Sequence, residues 1–397
     1  MYRGVADNVY EVGVIDWDRK LFDELIPLPY GTSYNAYLVR GSEKIALIDT
    51  VNSGRGAELL EHLRALGVKK IDYVIANHAE QDHSGSIPDV LREFPEAKVV
   101  TNAKCREMLM ALLHVPEDKF IVVNDRERIS LGDKTLEFIF APWVHWPETM
   151  LTYLVEQQIL FPCDFFGSHL ATSKLFVDSP AEIELHAKRY YAEIMMPFRT
   201  NIAGHLEVLK KYPIKIIAPS HGPLYNKPEI IMELYSKWIG AETENKVLVL
   251  YVSMHGSTGR AVRHFVEQLI RQGIPVRQID IAHADLGEIA IELVDATTVI
   301  LATPTVLTGA HPAAVYAAYL FNALRPKTKY AGLIVSYGWG GRCIEQIKGM
   351  LTNIKAELLE PVYIRGLPAE KDFELIDKLA LTIAEKHRAI FGSEKNG

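Results

Sequence analysis

The chain has 397 residues, 48% of them hydrophobic and 23% charged, which excludes a disordered, collagenous or coiled-coil protein and predicts two or three globular domains. Its 43 Lys and Arg against 50 Asp and Glu leave a net charge of −7. That balance argues against nucleic acid or an anionic membrane as the main partner, because phosphate binding draws on a basic face.

Cys105, Cys163 and Cys343 lie far apart and no C-x-x-C pair occurs, so a disulfide framework, a zinc knuckle and a built-in rubredoxin-type iron centre are excluded. The segment from Met1 to Asn8 carries no basic-then-apolar leader. The most apolar later stretch, around Thr297 to Leu320, is broken by Pro304, Gly309, His311 and Pro312, too often for a membrane span. A cytoplasmic protein is expected.

Up to about Ile217 the pattern is of short strands with turn signals and a few helices, an α+β half. The run 34–40 reads as an alternating strand, Gly41-Ser-Glu as a turn and 44–50 as a second strand. Ala57 to Leu66 has helical spacing, and Ile71 to Ala76 reads as a buried strand ending at Asn77. After Asn245 the pattern changes. Near-continuous apolar runs begin at Lys246, Val276, Thr298 and Tyr330, each followed by helical spacing, as a parallel sheet covered on both faces requires. The polar stretch 240–246 marks the boundary, giving domains 1–245 and 246–397.

Directly after the strand near 71–76 stands His78-Ala-Glu80-Gln-Asp82-His83-Ser-Gly85. In an extended segment His78, Glu80 and Asp82 project to one side, and a turn ending at Gly85 swings His83 round to them. Four ligand-type side chains in six residues are too many for one tetrahedral ion, so two metals are the natural reading. A solvated polar loop is the bland alternative. Against it stand three later segments: His145-Trp-Pro-Glu-Thr-Met, Phe161-Pro-Cys-Asp164-Phe-Phe-Gly167 and Ile217-Ala-Pro-Ser-His221-Gly222. Asp164 and His221 each follow an apolar strand and precede a glycine, where a strand delivers a side chain into a site.

These segments resemble the metallo-β-lactamase fold, whose hydrolytic members carry a zinc motif His-x-His-x-Asp-His. Here Glu80 replaces the second His, and the sequence is similar to the flavodiiron proteins, or A-type flavoproteins. Exchanging imidazole for carboxylate makes the pocket harder and more anionic, favouring iron in a redox role. The resemblance implies an αββα sandwich with two non-haem iron ions. By position, His78, Glu80 and His145 would hold one iron, Asp82, His83 and His221 the other, and Asp164 would bridge them. His169 falls where similar sequences have a His near the iron pocket, with a hydrogen-bonded structural role the alternative. Tyr190 and Tyr191 are expected to pack in the core or to stand behind the ligands. Cys163 is expected to pack as a small apolar residue, and His62, His114, His186, His264 and His387 to be surface or half-buried.

In the second half the strand from Lys246 runs into Ser253-Met-His-Gly256-Ser257-Thr258-Gly259, followed by a helix expected to begin near Arg260. Hydroxyls and free N–H groups at a helix start suit a phosphate monoester. Neither G-x-x-x-x-G-K-[ST] nor G-x-G-x-x-G is present, so the ATPase and dinucleotide loops fail. Two more loops, Thr303-Pro-Thr-Val-Leu-Thr308-Gly and Ser336-Tyr-Gly-Trp339-Gly-Gly341, follow the third and fourth strands, at the carboxyl edge where a doubly wound sheet binds ligands. Trp339 can offer a flat face to a ring system or cap a core edge. The three loops together resemble flavodoxin, the partner domain of flavodiiron proteins. That implies FMN held by Ser253, Met254, His255, Gly256, Ser257 and Thr258, by Pro304, Thr305, Val306, Leu307 and Thr308, and by Ser336, Tyr337, Gly338, Trp339 and Gly340.

The combined resemblance covers nearly the whole chain and implies a terminal reductase of O2 to water, of NO to N2O, or of both. The electron donor would be a separate rubredoxin or a reduced deazaflavin coenzyme. Domains of these lengths have radii of gyration near ~18 and ~15 Å, so sites on two domains of one chain can lie far apart for electron transfer. A head-to-tail homodimer, alone or as a dimer of dimers, would set the flavin of one chain against the irons of its partner, the arrangement of the family. The rival readings are a binuclear zinc hydrolase with a flavodoxin-like module, and a non-catalytic electron carrier whose metal cluster is a relic.

Overall fold

In the strands Tyr37–Arg40, Ile45–Ile48, Tyr73–Ile75 and Lys98–Thr101, successive side chains alternate between two apolar layers. Leu38, Leu47, Val74 and Val99 enter one buried cluster with Leu59, Leu63, Ile87, Val90 and Leu109 from three helices. Tyr37, Val39, Ala46, Ile48, Ile75 and Val100 enter another with Leu136, Phe138, Met150, Leu154, Ile159 and Phe161 of a second sheet. A period of two with both sides apolar is what a sheet between two layers demands. The result, in a computed structural model describing residues 2–392, is a helix-covered pair of face-to-face sheets, the αββα sandwich.

The first sheet has seven strands, and the central ones, Ile45–Ile48, Tyr73–Ile75 and Lys98–Thr101, run parallel. Their carboxyl ends therefore share one edge, where Asp49 and His78 emerge. The second sheet has five strands, and its last pair, Ile159–Phe161 and Ile216–Ile217, is parallel too. Asp164 and His221 leave those two strands in the same direction. Met150 N–H donates to Asn77 O at 2.9 Å, lacing the edge of one sheet to that of the other.

The chain divides into two compact units between Ile239 and Gly240. The second unit has a parallel sheet whose strands, Glu244–Tyr251, Val276–Asp280, Ala296–Val306, Tyr330–Tyr337 and Val362–Arg365, stand in the order 2-1-3-4-5. One face packs on the helices Ser257–Arg271 and Glu370–Phe391 through Val247, Val249, Ile300 and Ile334. The helices Leu286–Leu293 and Pro312–Leu324 lie against the third strand, with Leu248, Leu250, Val299 and Leu301 also buried. This is the doubly wound, flavodoxin-like order, with its switch point between the first and third strands.

Three local expectations are corrected. Asp82 is not on an extended segment but, with His83, on the helical turn Gln81–Ser84, because Ser84 and Gly85 donate back to the carbonyls of Glu80 and Gln81. The second unit's first helix starts at Ser257 rather than near Arg260, since Gly256 at φ +90° turns the chain into it at once. His387 is fully buried rather than at the surface or half-buried, its ring nitrogens bonded to Thr298 Oγ1 and Asn245 Oδ1 at 2.8 Å each. Among the described residues no helix is long and apolar enough to cross a membrane.

Candidate metal centre and cofactor cradle

The seven residues singled out in the first unit come from four loops, and the shared sheet edges bring them to one point. His78 Nε2 and His145 Nε2 each lie 3.1 Å from Glu80 Oε2 and 3.5 Å from Asp164 Oδ2. On the other side, His83 Nε2 and His221 Nε2 lie 3.2 and 3.1 Å from Asp82 Oδ2, and 2.9 and 3.4 Å from Asp164 Oδ1. Asp164 thus turns one oxygen to each trio. His78, His83, His221, Asp82 and Asp164 are all buried.

Two interactions aim the imidazoles. Glu148 Oε1 lies 2.7 Å from His78 Nδ1 and Ser33 O lies 2.7 Å from His221 Nδ1. An ionised carboxylate and a carbonyl only accept, so each Nδ1 carries a proton and each Nε2 is the nitrogen turned to the pocket. Burial opposes charge on His145 and His221, but the carboxylates of Asp164 with Glu80 or Asp82 outweigh it, raising His145 to about 9 and His221 to about 10. The same imidazoles hold Glu80 and Asp164 below the usual carboxylate range against the opposing effect of burial.

The donor set fits a pair of metal ions. Both oxygens of Asp82, both ring nitrogens of His83 and Asp164 Oδ2 are buried without a hydrogen-bond partner among the described residues. His83 Nε2 and Asp82 Oδ2 stand 3.2 Å apart without a hydrogen bond between them, an arrangement costly for buried polar atoms unless something positive lies between them. Four imidazoles and three carboxylates suit iron better than a thiolate or all-imidazole set would.

Sequence reasoning passed over several neighbours. Glu148 sat inside a quoted motif without a role, yet besides His78 it accepts the Ala79 N–H at 3.0 Å. Asp49 accepts from Asn77 N and Nδ2 at 2.9 and 3.0 Å, holding the loop that carries His78. Asp23, on the turn between the short strands Leu21–Phe22 and Ile26–Pro27, faces Glu80, and burial followed by the charges of Glu80 and Asp82 pushes it up to about 6. No local pattern marks any of these, since each acts across 25 residues or more. His169 is a neighbour rather than a ligand-group member: its Nδ1 lies 2.9 Å from Thr32 Oγ1 and its ring 4.9 Å from that of His221. Tyr190 does more than pack, because its hydroxyl donates to Asp164 Oδ1 at 2.8 Å. Tyr191 packs against Trp238. Cys163 is buried as expected, and burial pushes its thiol up, yet its sulfur is within 4.8 Å of donor atoms of His83 and Asp164.

In the second unit a cavity of about 210 Å³ opens at the carboxyl edge of the sheet, lined by Met254, His255, Ser257, Thr258, Pro304, Thr305, Ser336, Tyr337 and Gly338 from the three loops, and by Gly366. Thr258 Oγ1 and Ser336 Oγ lie 2.8 Å apart, joining the first loop to the third. Ser253 Oγ accepts the Gly259 N–H at 3.0 Å and shapes the helix start. Val306 and Leu307 line an adjoining apolar cleft with Tyr316 and Tyr319, Thr308 O accepts the Arg342 N–H at 2.8 Å, and Gly256 and Gly340 supply left-handed turns. Trp339 is 78% exposed and Leu307 89%, so Trp339 caps no core edge in this unit and its face is free for a ligand. Hydroxyls and helix N–H groups below, with apolar surface at the rim, fit a phosphate monoester carrying a flat ring.

A metallo-β-lactamase-like sandwich with a two-sided histidine–carboxylate pocket, joined to a flavodoxin-like domain, defines a class of redox protein. Residues 32–222 match the family model described as ODP family beta lactamase. The chain is 33% identical to the nitric oxide reductase of Moorella thermoacetica over 96% of its own length and 98% of that protein's. It is also 33% identical to the type A flavoprotein fprA of Rhodobacter capsulatus, over 90% and 85%. Among solved structures, rubredoxin oxygen:oxidoreductase from Desulfovibrio gigas superposes with a TM-score of 0.94 at 29% identity, covering 98% of this chain and 99% of that one. The chain belongs to the flavodiiron, or type A flavoprotein, family, and the resemblance read from its motifs holds for the whole chain.

Proposed function

We propose that this protein is a terminal oxidoreductase that reduces O2 to water, NO to N2O, or both, at a di-iron site supplied with electrons by FMN. The observation that carries the reading is Asp164, with Oδ2 set toward His78, Glu80 and His145 and Oδ1 toward Asp82, His83 and His221. Those seven residues would hold the two irons. Two irons there would bind and reduce a diatomic gas, and FMN would convert paired electrons to single ones.

The chain's own residues set the conditions for that chemistry. Glu148 and the Ser33 carbonyl keep His78 and His221 turned inward, with Nε2 as the nitrogen offered to a metal. Tyr190 keeps a donor on the Asp164 carboxylate. Burial of the ligands keeps bulk water off the pocket, which strengthens each electrostatic contact inside it. In the second unit the sixteen residues from Ser253 to Gly340 named above would hold FMN, with its phosphate at the start of the helix Ser257–Arg271 and its ring toward Trp339.

The donor is read as a separate carrier, a rubredoxin or a reduced deazaflavin coenzyme. The assembly is read as a head-to-tail homodimer or a dimer of dimers, and the compartment as the cytoplasm. The name of the Desulfovibrio gigas relative supports rubredoxin and oxygen, and that of the Moorella thermoacetica relative supports nitric oxide. A zinc hydrolase finds no support in relatives that match over both units. Anaerobic purification, metal and flavin analysis, and gas-consumption assays with both donors test the proposal. Two irons and one FMN per chain with rapid O2 or NO uptake are expected, whereas zinc without flavin absorbance would overturn it. A fully active monomer in analytical ultracentrifugation would overturn the dimer.

A further inference from the structure

Tyr190 ends the helix Pro180–Tyr190 with its hydroxyl on Asp164 Oδ1, the oxygen that faces His83 and His221. Its buried ring lies 5.8 Å from that of His221 and 4.9 Å from that of His169. From Tyr190 the chain passes into the π-helical stretch Tyr191–Met195, and the next side chain enters a second aromatic group. The Tyr191 ring is 5.4 Å from those of both Tyr235 and Trp238, which are 5.4 Å from each other. All are buried, and Trp238 Nε1–H has no hydrogen-bond partner among the described residues. An unpartnered indole N–H is a cost that phenylalanine would avoid. Four readily oxidised side chains therefore lead away from the carboxylate that faces both halves of the metal pocket.

We propose that Tyr190 is a one-electron, one-proton donor to the metal pair, used when oxygen arrives while the flavin is one electron short. The inference rests on the di-iron reading above and goes beyond it. Reducing O2 to two waters takes four electrons and four protons. Two ferrous ions and a flavin holding a single electron supply three electrons. Tyr190 gives the fourth, and its O–H proton leaves to Asp164 Oδ1, the acceptor already in place, and so toward the oxygen. The flavin releases one proton on oxidation and solvent supplies the other two. The products are two waters, two ferric ions, oxidised flavin and a phenoxyl radical at Tyr190. The donor's next electron, with one proton, restores the phenol.

The test uses the full chain loaded with iron and FMN. Samples reduced anaerobically by three or by four electrons per chain are mixed with O2, frozen within milliseconds and examined by electron paramagnetic resonance. A radical in the three-electron sample, at least ~10-fold weaker in the four-electron sample, is expected. Ring-deuterated tyrosine should narrow the signal, Tyr190→Phe with its iron retained should abolish it, and Trp238→Phe should retain it. Oxygen uptake without a radical in the three-electron sample, a signal unaffected by tyrosine deuteration, or the same signal in Tyr190→Phe would overturn the inference while leaving the di-iron reading intact. A reduced, iron-loaded protein that takes up no O2 would overturn both.

Discussion

Glu148 Oε1 lies 2.7 Å from His78 Nδ1, and both side chains are buried. A carboxylate behind a histidine fixes the ring's tautomer and makes its other nitrogen a stronger ligand, so losing the carboxylate weakens metal binding by about 10- to 100-fold. Glu148→Gln, which keeps the volume, is expected to release iron to a chelator about 10-fold more readily. Chelator competition followed by iron assay checks this, and unchanged retention would deny Glu148 its role.

Among the described residues Asp164 is the one side chain with an oxygen turned to each trio. Asp164→Ala is expected to lower bound iron from two per chain to one or fewer and to cut gas consumption at least ~100-fold, because metal-site binding energy is shared among all ligands. Asp82→Ala and His145→Ala should each cost at least ~10-fold. Normal gas consumption in either variant would favour the electron-carrier reading.

Metal loading should release protons. The surrounding carboxylates, outweighing burial, raise His145 to about 9 and His221 to about 10, so both imidazoles hold protons at pH 7 unless a metal displaces them. Binding must expel those two at least, since His78 and His83 are raised as well, and iron affinity should rise between pH 7 and 9 by at most ~10-fold per unit for each proton. Calorimetric titration in buffers of different ionisation enthalpy measures the number released. A heat independent of buffer would contradict the expectation.

His387 predicts a pH dependence in the second unit. Burial pushes it down to about 4, below the ordinary ~6.5 it regains on unfolding. Between those values the unfolded chain takes up a proton that the folded one refuses. Stability is therefore full above about pH 6.5 and falls as the pH drops toward about 4, by roughly 2 kcal/mol. His387→Gln should flatten that slope, read from urea unfolding at pH 7 and pH 4.5. An equal slope in both proteins would assign it elsewhere.

Thr258 and Ser336 join two loops of the cradle through their hydroxyls. Thr258→Val keeps the shape and removes the bond, along with a hydroxyl that would serve a phosphate in the proposed reading. FMN affinity should fall about 10-fold, the effect of roughly 1.4 kcal/mol, as read by quenching of flavin fluorescence.

Much of the architecture was legible because it depends on local period. Continuous apolar runs at Val247, Ile300 and Ile334 announced a two-sided parallel sheet, and the density of ligand types between His78 and His83 announced a cluster of metal-type donors. Helical turns of a few residues were not legible. The turn Gln81–Ser84 is too short to leave a period, and the start at Ser257 depends on how Gly256 bends. His387 stands in an amphipathic helix whose pattern does not separate a buried polar face from an exposed one. Its burial follows from the strands beside it.

The order of residues along the chain determined which donors exist and that each would leave the end of a strand, because a strand's exit is set by its own hydrophobic length. Which donors meet was decided by the parallel pairing of strands far apart in sequence, which sends Asp164 and His221 out at one edge. So was the identity of their supporting partners: Glu148 behind His78, the Ser33 carbonyl behind His221, and Tyr190 on Asp164. Hydrogen bonds between distant segments leave no spacing to read, and only packing brings their atoms within 3 Å.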